Sequence, residues 1–134
     1  ISMIKELKSK GVKKPVLSHY PKAITDYNKN DKTQEVTRIC KPFINSRDMI
    51  SFMGSEIIDS KGEYYLTPFT AGGMIFSESY FLKELPYDPE LPYLFVGEEI
   101  LHSIRFYTNG WDIYTPKENV IPPRSKCNIT QKKM

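Results

Sequence analysis

The spacing of apolar residues changes several times along the chain, and each change predicts a different secondary-structure element. Ile1, Ile4 and Leu7 recur at helical spacing before Gly11, which predicts a helix over Ile1 to Lys10. Short apolar or alternating runs between turn signals predict strands near Val16, Ile39, Phe52, Ile75 and Ile113. Together these segments predict a mixed α/β fold.

The middle of the chain carries weaker signals. A polar stretch from Ala23 to Glu35 predicts an exposed loop. The strand candidates Met49 to Phe52 and Ser55 to Ile58 follow each other closely, which predicts that they pair as a hairpin or meander. A short helix is predicted over Ser79 to Glu84, before Pro86.

A second long helix is predicted over Glu98 to Thr108, between Gly97 and the stop signal Asn109-Gly110. Its apolar positions follow a helical pattern and are expected to pack inward: Ile100, Leu101, Ile104 and Tyr107. Two adjacent glutamates, Glu98 and Glu99, lie in its first turn. Carboxylates there complement the positive end of the helix dipole, and they are also placed to project into a cleft from a rigid base. The spacing alone leaves both roles open.

Other candidate positions have two readings each. The run Ala71-Gly72-Gly73 lets the backbone approach a ligand closely, but it equally suits a tight packing contact. His19 lies at the exit of a strand predicted over Lys13 to Tyr20, where ligands gather in open α/β sheets. Hydrogen bonding to nearby backbone is the alternative for His19. Trp111 suits either a pocket wall or the core.

Composition narrows the class of protein. With 134 residues, of which 40% are hydrophobic, the chain is long enough for one domain or part of one. Its net charge of +3 comes without a basic stripe that carries interleaved aromatics, which argues against a nucleic-acid partner. No signal peptide and no membrane segment are evident. The two cysteines, Cys40 and Cys127, form no metal-binding spacing; reduced thiols and a cytoplasmic location are expected, with a single bridge as the alternative.

Several catalytic motifs are missing from the sequence. It contains no nucleophile elbow, no H-E-x-x-H, no C-x-x-C and no D-x-D. The chain therefore offers no zinc-site spacing and no acidic pair that would hold a cation on a diphosphate.

Three stretches together resemble one family. They are LSHYP from Leu17 to Pro21, PFTAGGMIFSESYF from Pro68 to Phe81, and LPYDPELPYLFVGEEILHSIRFYTNGWDIYTPKENV from Leu85 to Val120. In this order they resemble the N-acetylglucosaminyltransferase family with a GT-A fold, whose known members include cytoplasmic enzymes that attach GlcNAc to a hydroxyproline of a ubiquitin-ligase adaptor.

The resemblance implies an α/β fold with a GT-A-like (Rossmann-like) mixed sheet flanked by helices. Residues 1–134 would be the C-terminal part of a single glycosyltransferase domain whose N-terminal, nucleotide-binding half is missing. The implied activity is that of a retaining hexosyltransferase, which moves GlcNAc or a similar sugar from a UDP-GlcNAc-type donor to a protein hydroxyl such as hydroxyproline. The alternative is a catalytically inactive glycan- or protein-binding module.

The resemblance also implies roles for individual residues. Glu98 and Glu99 would be catalytic. Independently of the resemblance, neighbouring helical positions point about 100° apart and Glu99 borders the buried side, so we expect Glu99 to be the more sensitive of the two. The substrate pocket would be formed by His19, Ala71, Gly72, Gly73, Asp88, Gly97 and Trp111. A manganese or magnesium ion is expected in the parent protein, bound by a D-x-D upstream, with no metal ligand in this chain. One departure favours the inactive module: a position where the family has histidine holds Pro123.

We therefore expect that the isolated chain does not turn over a nucleotide sugar. Without an acidic pair to hold a cation, the charge that develops on the diphosphate leaving group is not neutralised. The measurement is UDP release after incubation with UDP-GlcNAc and manganese. Clear turnover would show that the chain holds its own metal site.

Overall fold

The computed structural model describes residues 1–21, 35–52, 56–90 and 97–120. The helices in this part are α1 (Ser2–Ser9), α2 (Phe81–Glu84) and α3 (Glu98–Thr108). The strands are β1 (Pro15–Ser18), β2 (Glu35–Arg38), β3 (Pro42–Ile44), β4 (Ile50–Phe52), β5 (Glu56–Asp59), β6 (Tyr65–Leu66), β7 (Ile75–Phe76) and β8 (Asp112–Thr115). The predicted mixed α/β class is confirmed, and among the predicted strand centres only Ile39 lies outside a strand, directly after β2.

A four-stranded sheet with the order β6-β8-β1-β7 forms the centre of the fold. Strand β1 runs parallel to β8, with Val16 opposite Ile113, and antiparallel to β7. Strand β8 pairs antiparallel with β6, so the sheet is mixed. All four residues of β1 are buried, which makes it the central strand in packing as well as in order.

Two apolar clusters cover the two faces of this sheet. On one face Val16 packs with Leu85, Phe106, Trp111 and Ile113. On the other face Leu17 packs with residues that include two from α1: Ile4, Leu7 and Met74. Because successive side chains of a strand point to opposite faces, α3 and α1 lie on opposite sides of β1.

The hairpin predicted between Met49 to Phe52 and Ser55 to Ile58 is wrong. Strand β4 pairs with β3, and β5 pairs with β2, in two separate two-stranded sheets. The first pairing is favoured by the turn between β3 and β4, where Asn45 Oδ1 accepts the backbone N–H groups of Arg47 and Met49. This Asx-type turn closes β3 onto β4 before the chain reaches β5.

The predicted inward face of α3 is also wrong in part. Ile104 is 52% exposed and Tyr107 is 81% exposed, whereas Ser103 and Phe106 are buried. The buried stripe of α3 is polar as well as apolar, since Ser103 accepts a hydrogen bond from the backbone N–H of Thr70 at 2.9 Å. A buried backbone donor needs a partner, so a serine occupies a buried position that the spacing of apolar residues does not predict.

Other predictions fall partly outside the described residues. The loop predicted from Ala23 to Glu35 lies outside them except for Glu35, with which β2 begins. Cys127 and Pro123 also lie outside, while Cys40 is a free thiol. No helix in the described ranges has the length and apolar character needed to cross a membrane.

A cluster of charged and aromatic side chains holds α1 against the end of the sheet. Glu6 Oε2 accepts hydrogen bonds from Lys117 Nζ and from the Tyr64 hydroxyl, both at 2.8 Å. These contacts, with that from Lys117 the strongest, lower the pKa of Glu6 from 4.5 to about 2. The Lys10 and Lys117 ammonium groups also lie over the Tyr64 ring.

This cluster predicts a pH-dependent contribution to stability. Because the pKa of Glu6 is depressed on folding, its contribution is complete above its ordinary pKa of 4.5 and is lost as the pH falls towards about 2. We expect Glu6→Gln to lower the urea midpoint at neutral pH, and we expect the difference from the unsubstituted chain to shrink across that interval. The fluorescence of the buried Trp111 is the measurement.

Glu63→Gln is the matched control for this experiment. Glu63 is mostly exposed and approaches Lys10 only at 3.8 Å, so its replacement should change the midpoint much less. Equal effects of the two substitutions, or an effect of Glu6→Gln that persists at the lowest pH, would contradict the linkage.

Candidate functional site

The candidate site begins where β1 ends, at the buried Ser18. Its hydroxyl donates to the carbonyl of Met74 at 2.7 Å and accepts the backbone N–H of Ala71 at the same distance. Ala71 and Met74 also form an isolated bridge, and the N–H of Met74 donates to the Ala71 carbonyl. Gly72 and Gly73 thus form the exposed tip of a turn that is fixed on the carboxyl end of β1.

Helix α3 is held against this turn at its first residues. The Ser103 hydroxyl accepts the Thr70 N–H and donates to the carbonyl of Glu99 at 2.5 Å. It therefore joins Thr70, which precedes the glycine turn, to the start of α3. Gly97 precedes the helix with φ 94°, a left-handed conformation that suits glycine. In the structure Gly97 thus directs the start of α3. Its role in substrate binding stays a prediction.

Glu99 is fully engaged by groups of the protein. Its Oε1 accepts the backbone N–H of Gly72 at 2.5 Å, and the Tyr20 hydroxyl donates to both of its carboxylate oxygens at 3.0 Å. Burial raises the pKa of the Tyr20 hydroxyl, and the hydrogen bond to Glu99 raises it further. Tyr20 therefore remains a protonated donor at neutral pH, and the Glu99 carboxylate is fixed over the glycine turn.

Glu98 reaches the same place but is not engaged. A Cβ atom added at Gly72 would lie 3.3 Å from an oxygen of Glu98 and 3.3 Å from an oxygen of Glu99, so the two carboxylates converge on this glycine. Within the described part of the chain, no hydrogen bond or ion pair involves the Glu98 side chain. The Glu99 carboxylate therefore binds groups of the protein, whereas the Glu98 carboxylate is available to a ligand.

A hollow of about 490 Å³ lies beside the turn. Backbone and mostly apolar side chains line it: Gly72, Gly73, Met74, Ile75, Phe76, Tyr87 and Val120. Glu98 and Glu99 are not among its lining residues, but their carboxylates lie next to Gly72, which is. A hollow with apolar walls and exposed backbone, next to carboxylate acceptors, suits a small ligand that carries several hydroxyl groups.

His19 lies beneath the site, fully buried. One ring nitrogen, Nδ1, bonds to the carbonyl of Tyr20 at 2.8 Å, and the other, Nε2, accepts the N–H of Val120 at 3.4 Å. These partners assign the proton to Nδ1, and burial lowers the pKa of the ring, so the imidazole is neutral. His19 therefore makes the backbone hydrogen bonds that the sequence left open as its alternative role, and its bond to the Tyr20 carbonyl supports the position of Tyr20.

The remaining predicted residues are distributed around the site. Ala71, the first residue of the turn, is fully buried. Trp111 is a core residue, 2% exposed, whose Nε1 donates to Glu84 at 2.9 Å. It borders a different cavity of about 480 Å³, together with Phe69 and other residues. Asp88 lines a further hollow that shares only Tyr87 with the one beside Gly72.

The structure therefore brings Gly72, Gly73, Glu98 and Glu99 together, and it adds Tyr20, which the sequence analysis did not single out. Its position in the sequence could have indicated Tyr20 as a site residue, because it directly follows His19 at the exit of the predicted strand. Its partner Glu99 lies far along the sequence, so no local pattern could join them.

Nowhere in residues 1–21, 35–52, 56–90 and 97–120 do three or more His, Cys, Asp or Glu side chains cluster in a way that could hold a metal ion. The two convergent carboxylates, one of which is occupied by Gly72 and Tyr20, do not form such a set.

Comparison with known proteins gives one result. A model of the family described as "Glycosyltransferase (GlcNAc)" matches residues 1–122, which is most of the chain. No curated protein and no solved structure matches the chain.

The contacts of Glu99 predict an NMR signature. A backbone N–H that donates to a carboxylate makes a short, charge-assisted hydrogen bond, so the Gly72 amide proton should resonate well downfield. We expect Glu99→Gln to move that resonance upfield. Glu98→Gln, the matched control, should move it much less, because Glu98 makes no hydrogen bond to this amide. A larger response to Glu98→Gln would contradict the assigned contacts.

Proposed function

The chain belongs to the glycosyltransferase (GlcNAc) family, and we propose that its site binds the sugar of a UDP-GlcNAc-type donor and transfers it to a hydroxyl of a protein acceptor. Hydroxyproline is the acceptor residue that we propose from the sequence resemblance, together with a GT-A-like fold and retention of the sugar's configuration. The observation that carries the proposal is the convergence of Glu98 and Glu99 on the Gly72-Gly73 turn.

This convergence suits a sugar for two reasons. The carboxylates fill the space beside Gly72, but the space beside Gly73 is open apart from Pro21 at 3.9 Å, so a pyranose ring can approach the backbone there closely. The free Glu98 carboxylate beside it accepts hydrogen bonds from hydroxyl groups, the groups that a sugar presents most often. The apolar wall from Met74 to Phe76 faces the less polar side of such a ring.

We assign different roles to the two glutamates. Glu98 contacts the substrate, where its charge stabilises the positive character that develops on the sugar in an oxocarbenium-like transition state. Glu99 is a positioning residue, since its oxygens are bound to Gly72 and Tyr20 and hold the turn in place. For a retaining enzyme, a one-step general base is not the expected role of either residue.

A divalent cation, manganese or magnesium, remains part of the proposal for the parent protein. It would neutralise charge on the diphosphate leaving group. The described residues do not supply a set of ligands for it, so the roles given to Glu98 and Glu99 depend only on hydrogen bonding and charge.

These roles predict unequal effects of two isosteric substitutions in the parent protein. Glu98→Gln should lower kcat by two or more orders of magnitude, a loss of about 3 kcal/mol in transition-state stabilisation. Glu99→Gln should act mainly on substrate affinity or stability, because Gln can still accept the Gly72 N–H. The measurement is steady-state transfer from UDP-GlcNAc to a hydroxyproline peptide.

Glu56→Gln, on the exposed strand β5, is the control and should leave turnover unchanged. If Glu99→Gln alone abolished turnover, the two roles would be exchanged. If both substitutions left turnover within a few fold, the pair would serve only the helix dipole. Binding of donor or acceptor without any turnover by the parent protein would favour the alternative, an inactive glycan- or protein-binding module.

A further inference from the structure

A second hollow, of about 320 Å³, adjoins the first across the ring of Tyr87. It is lined by Pro86, Tyr87, Asp88, Pro89, Leu101 and Arg105. Tyr87 is the lining residue that the two hollows share, so a ligand in one can continue into the other along this ring. The second hollow combines apolar walls with one cationic and one anionic side chain.

The Tyr87 ring is fixed from one side and open on the others. It packs edge-on against His102 of α3, with ring centroids 4.6 Å apart and an interplanar angle of 74°. The side chain is nevertheless 63% exposed. An aromatic ring that is oriented by a helix and exposed to solvent is a surface on which proline and other apolar groups of a peptide can pack.

Arg105 supplies an unused hydrogen-bond donor to the second hollow. Its side chain is half-buried, and within the described part of the chain its guanidinium makes no hydrogen bond or ion pair. The Asp88 carboxylate in the same hollow accepts the backbone N–H of Glu90 at 2.9 Å and does not pair with Arg105. The planar guanidinium fork matches a carboxylate, to which it can donate two parallel hydrogen bonds.

Glu98 and Arg105 have a defined separation on α3. They are seven residues apart, so they lie on the same side of the helix and about 10 Å apart along its axis. An extended peptide advances about 3.3 Å per residue, so this distance corresponds to about three residues.

We propose that the second hollow is an acceptor subsite in which Arg105 binds the carboxylate of an acidic residue about three positions from the hydroxyl that receives the sugar. This inference rests on the proposed function, because it takes the first hollow to hold the donor sugar beside Glu98. The acceptor class is then an extended peptide that crosses Tyr87 and carries one acidic residue at that position.

The diphosphate of the donor is the other oxyanion that a free guanidinium could bind. Asp88 argues against it, because its carboxylate in the same hollow repels a diphosphate with two charges more strongly than a single carboxylate. The apolar walls from Pro86, Pro89 and Leu101 likewise suit a side chain.

The test is binding of fluorescent peptides to the 134-residue chain, measured by anisotropy. Each peptide carries a central hydroxyproline and a single Glu or Gln at the third position on its N-terminal or C-terminal side. We expect the Glu peptide of one series to bind about tenfold more tightly than its Gln counterpart, the effect of a charge-assisted hydrogen-bonded pair. Arg105→Gln should remove this difference.

Two further variants keep the test independent of folding. Arg47→Gln, in the exposed turn between β3 and β4, is the matched control and should retain the preference for Glu. Arg105→Glu should reverse the preference towards a peptide with Lys at the same position, which a folding defect cannot produce. Absence of any Glu preference in the unsubstituted chain, or its persistence in Arg105→Gln, would overturn the proposal.

The donor is tested separately by calorimetry with UDP-GlcNAc and the parent protein. Loss of UDP-GlcNAc binding in Arg105→Gln, with peptide binding unchanged, would assign the guanidinium to the diphosphate and overturn the acceptor subsite. If the parent protein transferred no sugar while Arg105-dependent peptide binding persisted, the transferase proposal would fail and the peptide site would stand.

Discussion

The hydrogen bonds of the Ser18 hydroxyl are the contacts on which the candidate site depends. They join the carboxyl end of the central strand to both ends of the turn from Ala71 to Met74. The hydroxyl is fully buried, so its removal would leave a backbone donor and an acceptor without partners, at a cost of about 1–3 kcal/mol for each group. The position of Gly72, and through it that of Glu99, therefore follows from a small polar residue in the sheet.

Polar groups perform a similar task on the buried side of α3. Glu99 and Ser103 are four residues apart, on the stripe that continues to Phe106, and each satisfies a backbone N–H of the segment from Thr70 to Gly72. Phe106 then supplies the apolar contact with Trp111 and Val16. The helix is thus attached by hydrogen bonds at its first turn and by hydrophobic packing at its last, and the Glu99 carboxylate is held in a fixed orientation.

The sequence allowed the elements to be predicted better than their partners. Apolar period and stop signals located α1, α3 and most strands, because these depend on neighbouring residues. Pairing of β4 with β3 was missed, since the choice of partner depended on an Asx-type turn. The buried face of α3 was misassigned because Ser103 is polar, and Tyr20 was not identified because its partner is distant in sequence. The sequence indicated both glutamates and the glycine run as candidates. Their convergence on Gly72 could not be predicted, because the helix and the turn are far apart in the sequence.

The parallel pairing of β1 with β8 has a consequence for how this chain folds. Val16 lies near the start of the described chain and its partner Ile113 near the end, so the centre of the sheet closes a loop that contains nearly everything else. Such long-range pairing slows folding, because the entropy of loop closure is lost before the contacts form. During synthesis, β1 cannot pair with β8 until β8 has emerged from the ribosome, and the apolar residues of β1 stay exposed until then. The turn from Ala71 to Met74, which is attached to β1, is accordingly expected to order late.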